Sequence, residues 1–190
     1  MSRVHWVRHG PTHARCMVGW TDLPADLSDI AALDRLAAHL PADAVVVSSD
    51  LTRAAATADA IAGPRTRLDH DPDLREINFG AWEMQTPDSV EDQDHLRAYW
   101  DTPGDVRPPG GESWHQVSTR VSRATDRLLA ALPGRELVIV AHFGAILTQV
   151  QRATELSGYD TFSHRIDNLS VTDIAFDKGK WQIGRINHRP

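Results

Sequence analysis

The stretch that decides the fold is Val4-His5-Trp6-Val7-Arg8-His9-Gly10-Pro11-Thr12. Apolar and β-prone residues lead into Arg8-His9-Gly10, and Pro11 then prevents the strand from simply continuing. The pattern predicts a buried strand whose end carries a guanidinium group and an imidazole ring. We expect other segments of the chain to bring their own polar side chains to this strand end.

The histidines in and around this stretch recur every four residues, at His5, His9 and His13. On a helix the three rings would share one face, as a zinc site requires. Gly10-Pro11 disfavours that helix, because proline lacks an amide donor and biases the preceding residue away from the helical region. We therefore expect no metal site here, and a solvated His9 is the simplest alternative to a functional one.

Two further apolar runs end on a polar group at the start of a predicted helix. Ala44 to Val47 leads through a turn into a helix over residues 51–62, with Arg53 in its first turn. Leu137 to Ala141 runs into His142 at the start of the next helix. Such short apolar runs are typical of buried parallel strands, and a helix N-terminus favours an anion. Arg53 alone would more often be a surface arginine.

The order of the predicted elements indicates an α/β sandwich with a mostly parallel sheet, helices on both faces and an antiparallel edge. The helices are predicted over residues 28–40, with Ser28 as N-cap, and over 51–62, 88–99, 113–132 and 145–154. Further strands are predicted over residues 66–70, 171–176 and 181–186. Ligands bind beyond the carboxyl ends of strands in such sheets, which is where Arg8, His9, Arg53 and His142 are predicted to lie.

Length and composition indicate one ordinary globular domain over residues 1–190. The hydrophobic share is 41%, but no apolar run is long enough to cross a bilayer, and we expect neither a signal peptide nor a membrane partner. Cys16 is the only cysteine, which favours a reducing compartment, so we expect the protein in the cytoplasm.

The chain is acidic, with 26 acidic and 20 basic residues and a formal net charge of -6. This balance disfavours a nucleic-acid partner, which would need a broad basic surface. An anionic substrate would also be repelled at long range. Any phosphate site must therefore come from a local cluster of arginines.

A carboxylate completes the predicted cluster. Glu76 lies in a loop among large apolar residues, and burial there would favour the protonated form that a proton donor needs. Alternatively, Glu76 and Glu83 are solvated and pair with Arg75 or Arg97. Two arginines, two histidines and a carboxylate suit phosphoryl transfer, because the arginines can hold phosphate oxygens while a neutral imidazole attacks phosphorus.

Five motifs in the same order resemble those of the histidine phosphatase superfamily, the phosphoglycerate mutase-like proteins. They are Arg8-His9-Gly10-x-Thr12, Ser48-Ser49-Asp50-Leu51-Thr52-Arg53-Ala54-x-x-Thr57-Ala58, Leu74-x-Glu76-x-x-Phe79-Gly80-x-Trp82-Glu83, Gly110-Gly111-Glu112-Ser113 and Val140-Ala141-His142-x-Gly144. The resemblance implies His9 as phosphoacceptor and Glu76 as proton donor. It also implies that Arg8, Arg53 and His142 form the phosphate pocket, with no metal ion and no cofactor.

Three positions depart from the family pattern. Pro11 replaces the usual acid or glutamine, Arg15 replaces the usual asparagine, and Phe143 replaces a small residue. We expect Arg15 to add a phosphate or carboxylate contact, although it could instead point to solvent, and Phe143 to narrow the entrance. Thr12 is a further predicted substrate contact.

Four tryptophans lie in or beside the predicted active-site loops: Trp20, Trp82, Trp100 and Trp114. They could stack on an aromatic substrate, although packing in the core is the commoner role of a tryptophan.

The short segment between Gly80 and Gly110 resembles the phosphatase branch, including α-ribazole phosphatases and broad-specificity phosphatases, more than the cofactor-dependent mutases. We therefore expect a metal-independent phosphomonoesterase whose partner is a small phosphate ester. The alternatives are a phosphoglycerate mutase-like phosphotransferase and a non-catalytic phospholigand-binding protein on the same fold. A homodimer is left open.

Overall fold

A six-stranded sheet forms the centre of the molecule in a computed structural model that describes residues 1–190. Its strands are β1 (Ser2–Arg8), β2 (Val45–Ser48), β3 (Thr66–Arg67), β4 (Glu136–Ala141), β5 (Val171–Asp177) and β6 (Lys180–Ile183). They lie in the order β3-β2-β4-β1-β5-β6. The first four strands in that order are parallel to one another, and β5 and β6 form an antiparallel edge. The predicted α/β class with a mostly parallel sheet is confirmed.

Helices cover both faces of the sheet. They are α1 (Ile30–His39), α2 (Thr52–Ala62), α3 (Gln93–Asp101), α4 (Trp114–Ala131), α5 (Phe143–Thr154) and the short α6 (Gly158–Thr161). Alternate residues of β4 serve the two faces: Val138 and Val140 pack in a cluster with α1 and α2, whereas Leu137 and Ile139 pack with α4 and α5. None of these helices combines the length and the apolar character needed to span a bilayer.

Two predicted helix starts were wrong because other side chains cap the helices. Asp29, not Ser28, caps α1 by accepting a hydrogen bond from the Ala32 amide, while the Ser28 amide donates to Asp26 in the preceding turn. Helix α3 begins at Gln93 rather than at residue 88. A separate 3-10 turn at Pro87–Ser89 precedes α3, and the side chain of Asp92 caps the N-terminus of α3.

Two edge strands are shorter than predicted. Strand β3 pairs with β2 only at Thr66 and Arg67. Strand β6 ends at Ile183 rather than at residue 186, because Gly184 and Arg185 both face Asp173. The Gly184 amide donates to the Asp173 carbonyl, and the Asp173 amide donates to the Arg185 carbonyl. Two residues opposite one form a bulge that interrupts the ladder.

The register of the parallel strands brings three strand ends together. Arg8 at the end of β1 lies opposite Ala141 at the end of β4, and Ser48 at the end of β2 lies opposite Val140. The residues that follow β1, β2 and β4 therefore emerge at one edge of the sheet, where the predicted site residues lie.

Candidate active site

His9 and His142 follow neighbouring strands and lie side by side. Their ring centroids are 5.0 Å apart. The His9 amide donates to the Ala141 carbonyl at 3.1 Å, and the side chain of Asn168 donates to the His9 carbonyl at 2.8 Å. The backbone of His9 is thus held from both sides, which fixes the position of its ring.

The surroundings of the His9 ring define its tautomer. Its Nδ1 lies 2.6 Å from the Gly10 carbonyl, which can only accept, so Nδ1 carries the hydrogen. Nε2 then carries the lone pair of the ring, which accepts a hydrogen bond from Nε of Arg53 at 3.3 Å. Burial, and then the positive charge of Arg53, lowers the pKa of His9 to about 3. The ring is therefore neutral at pH 7, with Nε2 as its electron-pair donor.

Arg53 is buried, so a surface position for this arginine is wrong. Its side chain is only 1% exposed. Nη1 donates to the Thr21 carbonyl at 2.9 Å, and Nη2 donates to the Gly19 carbonyl at 2.6 Å. The loop over residues 19–21 thereby holds the guanidinium group beside His9.

Arg8 is the last residue of β1 and directly precedes His9. Its Nη1 donates to the Ile166 carbonyl at 2.6 Å, and its guanidinium carbon is 5.5 Å from the centre of the half-buried Phe143 ring. Nε of Arg8 is buried and has no partner in the protein. An unsatisfied buried donor is rare, and here it is available to an anion.

His142 is fully buried and caps the N-terminus of α5. Neither of its ring nitrogens has a partner in the protein. Burial, followed by the neighbouring His9 and Arg53, holds the pKa of His142 well below its usual range. The neutral ring can still donate one hydrogen bond to a ligand oxygen.

Glu76 packs against the start of α5. One of its carboxylate oxygens accepts hydrogen bonds from the Gly144 amide at 2.9 Å and from the Ile77 amide at 2.9 Å. The alternative that Glu76 pairs with a nearby arginine is wrong, because Arg75 pairs with Asp50 and Arg97 pairs with Asp94. Glu76 as a whole is only 7% exposed.

A cleft opens beside the paired histidines. Its lining consists of Arg8, His9, Pro11, Thr12, His13, Ala14, Arg15 and Asn168. The lining contains no carboxylate, although acidic residues outnumber basic ones in the chain. The structure thus brings Thr12 and the exposed Arg15 to the cleft, whereas Phe143 is not part of the lining and instead contacts Arg8. No protein group accepts a hydrogen bond from the Arg15 side chain.

Sequence reasoning missed three residues that support the site. Asn168 fixes His9, but it lies in a segment without a recognisable pattern. Thr57 belongs to the second motif but had no predicted role; its hydroxyl accepts a hydrogen bond from the Gly10 amide at 2.9 Å. Arg120 donates to the Glu76 carbonyl at 2.7 Å and to both carboxylate oxygens of Glu112 at 2.8 Å. Its position on an otherwise apolar helix face was the available signal.

The proposed stacking role fails for two of the tryptophans. Trp82 and Trp114 are 4% and 2% exposed and belong to the core. Trp100 packs against Phe79 and Phe162. Trp20 is 37% exposed, but its indole nitrogen donates to the Glu76 carbonyl at 2.9 Å.

The three periodic histidines do not converge on one site. The ring nitrogens of His5 bind Asp173 and Glu136, and the ring of His13 binds Asp26. Each ring therefore serves a different set of partners.

Comparison with known proteins places this geometry in a family context. The family model of the histidine phosphatase superfamily (branch 1) matches residues 4–189. The bifunctional protein Rv2228c of Mycobacterium tuberculosis is 32% identical over 162 residues, which cover 84% of this chain but only 42% of that protein. The chain thus spans less than half the length of that relative. A probable phosphoglycerate mutase GpmB of Yersinia pestis is 31% identical over 195 residues, covering 95% of this chain and 88% of that protein.

Solved structures share the fold over nearly the whole chain. YhfR of Bacillus stearothermophilus has a TM-score of 0.90 and 27% identity, with 99% of this chain and 98% of that chain covered. The α-ribazole phosphatase of Shigella flexneri has a TM-score of 0.83 and 26% identity, with 98% and 96% covered.

Proposed function

Because the chain belongs to branch 1 of the histidine phosphatase superfamily, we propose that it is a phosphomonoesterase acting through a phosphohistidine on His9. Residues 1–190 act as one domain, and the substrate is a small phosphorylated metabolite. The observation that carries the proposal is the buried, neutral ring of His9, whose unprotonated Nε2 accepts a hydrogen bond from Arg53. A metal ion and a cofactor are not needed for the steps below.

The first step transfers the phosphoryl group to the protein. The Nε2 lone pair of His9 attacks phosphorus, and the bond from phosphorus to the ester oxygen breaks. Glu76, in its protonated form, gives its proton to the leaving oxygen. Arg8, Arg53 and His142 donate hydrogen bonds to the remaining phosphate oxygens, where negative charge must be stabilised.

The second step regenerates the protein. Glu76, now a carboxylate, takes a proton from a water molecule whose oxygen attacks phosphorus. The bond between phosphorus and nitrogen breaks, the electron pair returns to Nε2 of His9, and inorganic phosphate leaves. Thr12, Arg15 and Phe143 are proposed contacts of the rest of the substrate.

A phosphoglycerate mutase-like phosphotransferase is the second candidate, and the 31% identity to a probable phosphoglycerate mutase favours it. Both candidates share the first step. They differ in whether water or a second hydroxyl group receives the phosphoryl group from His9.

The test is a panel of phosphate esters assayed for release of phosphate in the presence of a chelator, with His9→Ala as control. The panel contains α-ribazole phosphate, nucleotides, sugar phosphates and phosphoglycerates. We expect turnover that survives the chelator and is lost in the variant. Full activity of the variant would refute the proposal. Exchange of phosphate between phosphoglycerates without net release would identify the mutase, and binding without turnover would identify a phospholigand-binding protein.

A further inference from the structure

Glu83 lies outside the candidate cleft but organises a loop that borders it. Its carboxylate oxygens accept five hydrogen bonds. The donors are the amides of Gly19, Trp20, Thr21 and Phe79 at 3.0, 2.8, 3.2 and 3.0 Å and the Thr21 hydroxyl at 2.7 Å. Three consecutive backbone amides thus point at one carboxylate.

The loop is folded around a negative charge. Burial by itself raises the pKa of Glu83, but the hydrogen bonds from Thr21, Trp20 and Gly19 outweigh it, so the pKa lies below its ordinary value. The carboxylate is therefore ionised at neutral pH. Its charge strengthens each of the hydrogen bonds that it accepts.

The same loop binds Arg53 through its carbonyl groups. While the amides of residues 19–21 turn towards Glu83, the carbonyls of Gly19 and Thr21 accept hydrogen bonds from the Arg53 guanidinium group. These two contacts leave Nε of Arg53 directed at His9. The packing is tight, since a Cβ atom on Gly19 would lie 1.9 Å from the Ile77 carbonyl and 2.4 Å from Glu83.

We propose that Glu83 is a positioning residue for the phosphate site, acting through the backbone of residues 19–21 on Arg53. This inference rests on the proposed role of Arg53 in holding phosphate. Without the carboxylate, the loop loses the anion that orients its amides, and the carbonyls that hold Arg53 lose their direction. The guanidinium group then samples several orientations, and binding a phosphate dianion must select one of them.

The test is a double-mutant cycle between Glu83→Gln and Arg53→Lys. Lysine keeps the positive charge, so phosphate binding remains measurable, but it lacks the planar fork that bridges the two carbonyls. We expect Glu83→Gln to raise the Kd for inorganic phosphate about tenfold when Arg53 is present, as coupled neighbours do. In the Arg53→Lys background the same change should have less than about a twofold effect. Calorimetric titration gives each Kd, and kcat/KM for an aryl phosphate gives a second cycle.

Glu112→Gln is the matched control. Glu112 is also a partly buried carboxylate; it accepts from the Asn78 amide and pairs with Arg120, but it does not contact residues 19–21. We expect Glu112→Gln to lower the thermal unfolding temperature. Its effect on the Kd for phosphate should be the same with Arg53 and with Arg53→Lys. An equal effect of Glu83→Gln in both backgrounds, or a loss of stability with unchanged phosphate affinity, would overturn the inference.

The two readouts separate this inference from the proposed function. Coupling in phosphate affinity without ester turnover would support the role of Glu83 while refuting the phosphatase. Ester turnover without coupling in phosphate affinity would support the phosphatase and refute the role of Glu83. If Arg53→Lys does not fold, Arg53→Met keeps a long side chain and replaces it in the cycle.

Discussion

The neutral state of His9 has a thermodynamic cost at acid pH. Its pKa falls from an ordinary value of 6.5 to about 3, because burial and then Arg53 disfavour the charged ring. Between these two values the unfolded chain binds a proton that the folded protein does not bind. The free energy of unfolding must therefore fall as the pH falls through this range, and the loss stops only near pH 3.

Replacing the ring with an uncharged amide removes this term. We expect His9→Gln to abolish activity and yet to gain about 2 kcal/mol relative to the native protein when the pH is lowered from 7 to 5. Urea unfolding of both proteins at each pH measures the difference. Burial, the largest cause of the low pKa of His142, is present in both proteins, so most of the contribution of His142 cancels. Parallel pH dependences of the two unfolding free energies would contradict this account of His9.

Arg15 is a candidate contact for the part of the substrate beyond the phosphoryl group. It lines the same carboxylate-free cleft as Arg8 and His9. We expect Arg15→Ala to lower kcat/KM for a phosphoglycerate by roughly ten- to hundredfold more than for phenyl phosphate, the value of a lost charge-assisted hydrogen bond. Arg15→Lys serves as the charge-preserving comparison. Equal losses for the two esters would place Arg15 on the phosphoryl group itself, and no loss for either would mean that it faces solvent.

The positions of Arg8, His9, Arg53 and His142 could be predicted because the ends of parallel strands meet at one sheet edge. The burial of Arg53 and the neutral state of His9 could not be predicted. The burial of Arg53 depends on the loop over residues 19–21, whose conformation is imposed by tertiary hydrogen bonds rather than by its own sequence. The neutrality of His9 follows from its own burial and then from the Arg53 charge that this loop holds beside it.

The N-terminus of α5 positions Glu76, and this contact requires a glycine. A Cβ atom on Gly144 would lie 2.4 Å from a carboxylate oxygen of Glu76 and 2.7 Å from the side chain of Ile77. Both neighbours are side chains, so the helix can remain while the carboxyl group moves. The start of α5 thus carries His142 of the proposed phosphate pocket as its N-cap residue and holds the proposed proton donor through the Gly144 amide.

Gly144→Ala should therefore damage proton transfer more than phosphate binding. We expect kcat for an alkyl phosphate to fall by about a hundredfold, the usual contribution of a positioned general acid. The loss for p-nitrophenyl phosphate should be smaller, because its leaving group needs no proton. Steady-state kinetics on both esters, with Glu76→Gln for comparison, gives the answer. An equal loss on the two esters would indicate general disruption of the site.

The bounds of the longest elements could be predicted closely, whereas those of α3 and β6 could not. Helix α4 and strand β4 carry periodic or continuous apolar patterns that tertiary structure has no reason to override. Helix α3 and strand β6 depend on local competition instead. The side chain of Asp92 delays the start of α3, and the bulge opposite Asp173 ends β6 early. Neither the cap nor the bulge produces a hydrophobic periodicity in the sequence.

At the scale of the whole molecule, a second histidine, His5, contributes to the free energy of unfolding with the opposite pH dependence. In the middle of β1, four residues before His9, His5 binds Glu136 on β4 and Asp173 on β5. Burial lowers the pKa of His5, but its hydrogen bonds to the two carboxylates outweigh burial and raise it above 6.5. The ionised ring thus ties three strands together. Its stabilisation is complete below pH 6.5 and is lost as the pH rises through the folded-state pKa.

We expect His5→Gln to destabilise the protein more at pH 6 than at pH 9, since only the native side chain gains from protonation. Chemical unfolding at the two pH values measures this, and the variant should retain its phosphate affinity because the His5 ring binds Asp173 and Glu136 and no residue of the proposed phosphate site. A penalty that does not depend on pH would show that His5 stabilises the sheet by packing alone.

The strand order of the sheet also determines when the protein can fold during its synthesis. Strand β1 pairs on one side with β4 and on the other with β5, so its partners are made only after residues 136–177 have been synthesised. Until then the strand that ends in Arg8 has two open edges and must be kept from pairing with other chains. The cluster around His9 also needs side chains from residues 53, 142 and 168. The proposed phosphate pocket is thus one of the last features that a growing chain acquires, and we expect truncated products to lack it.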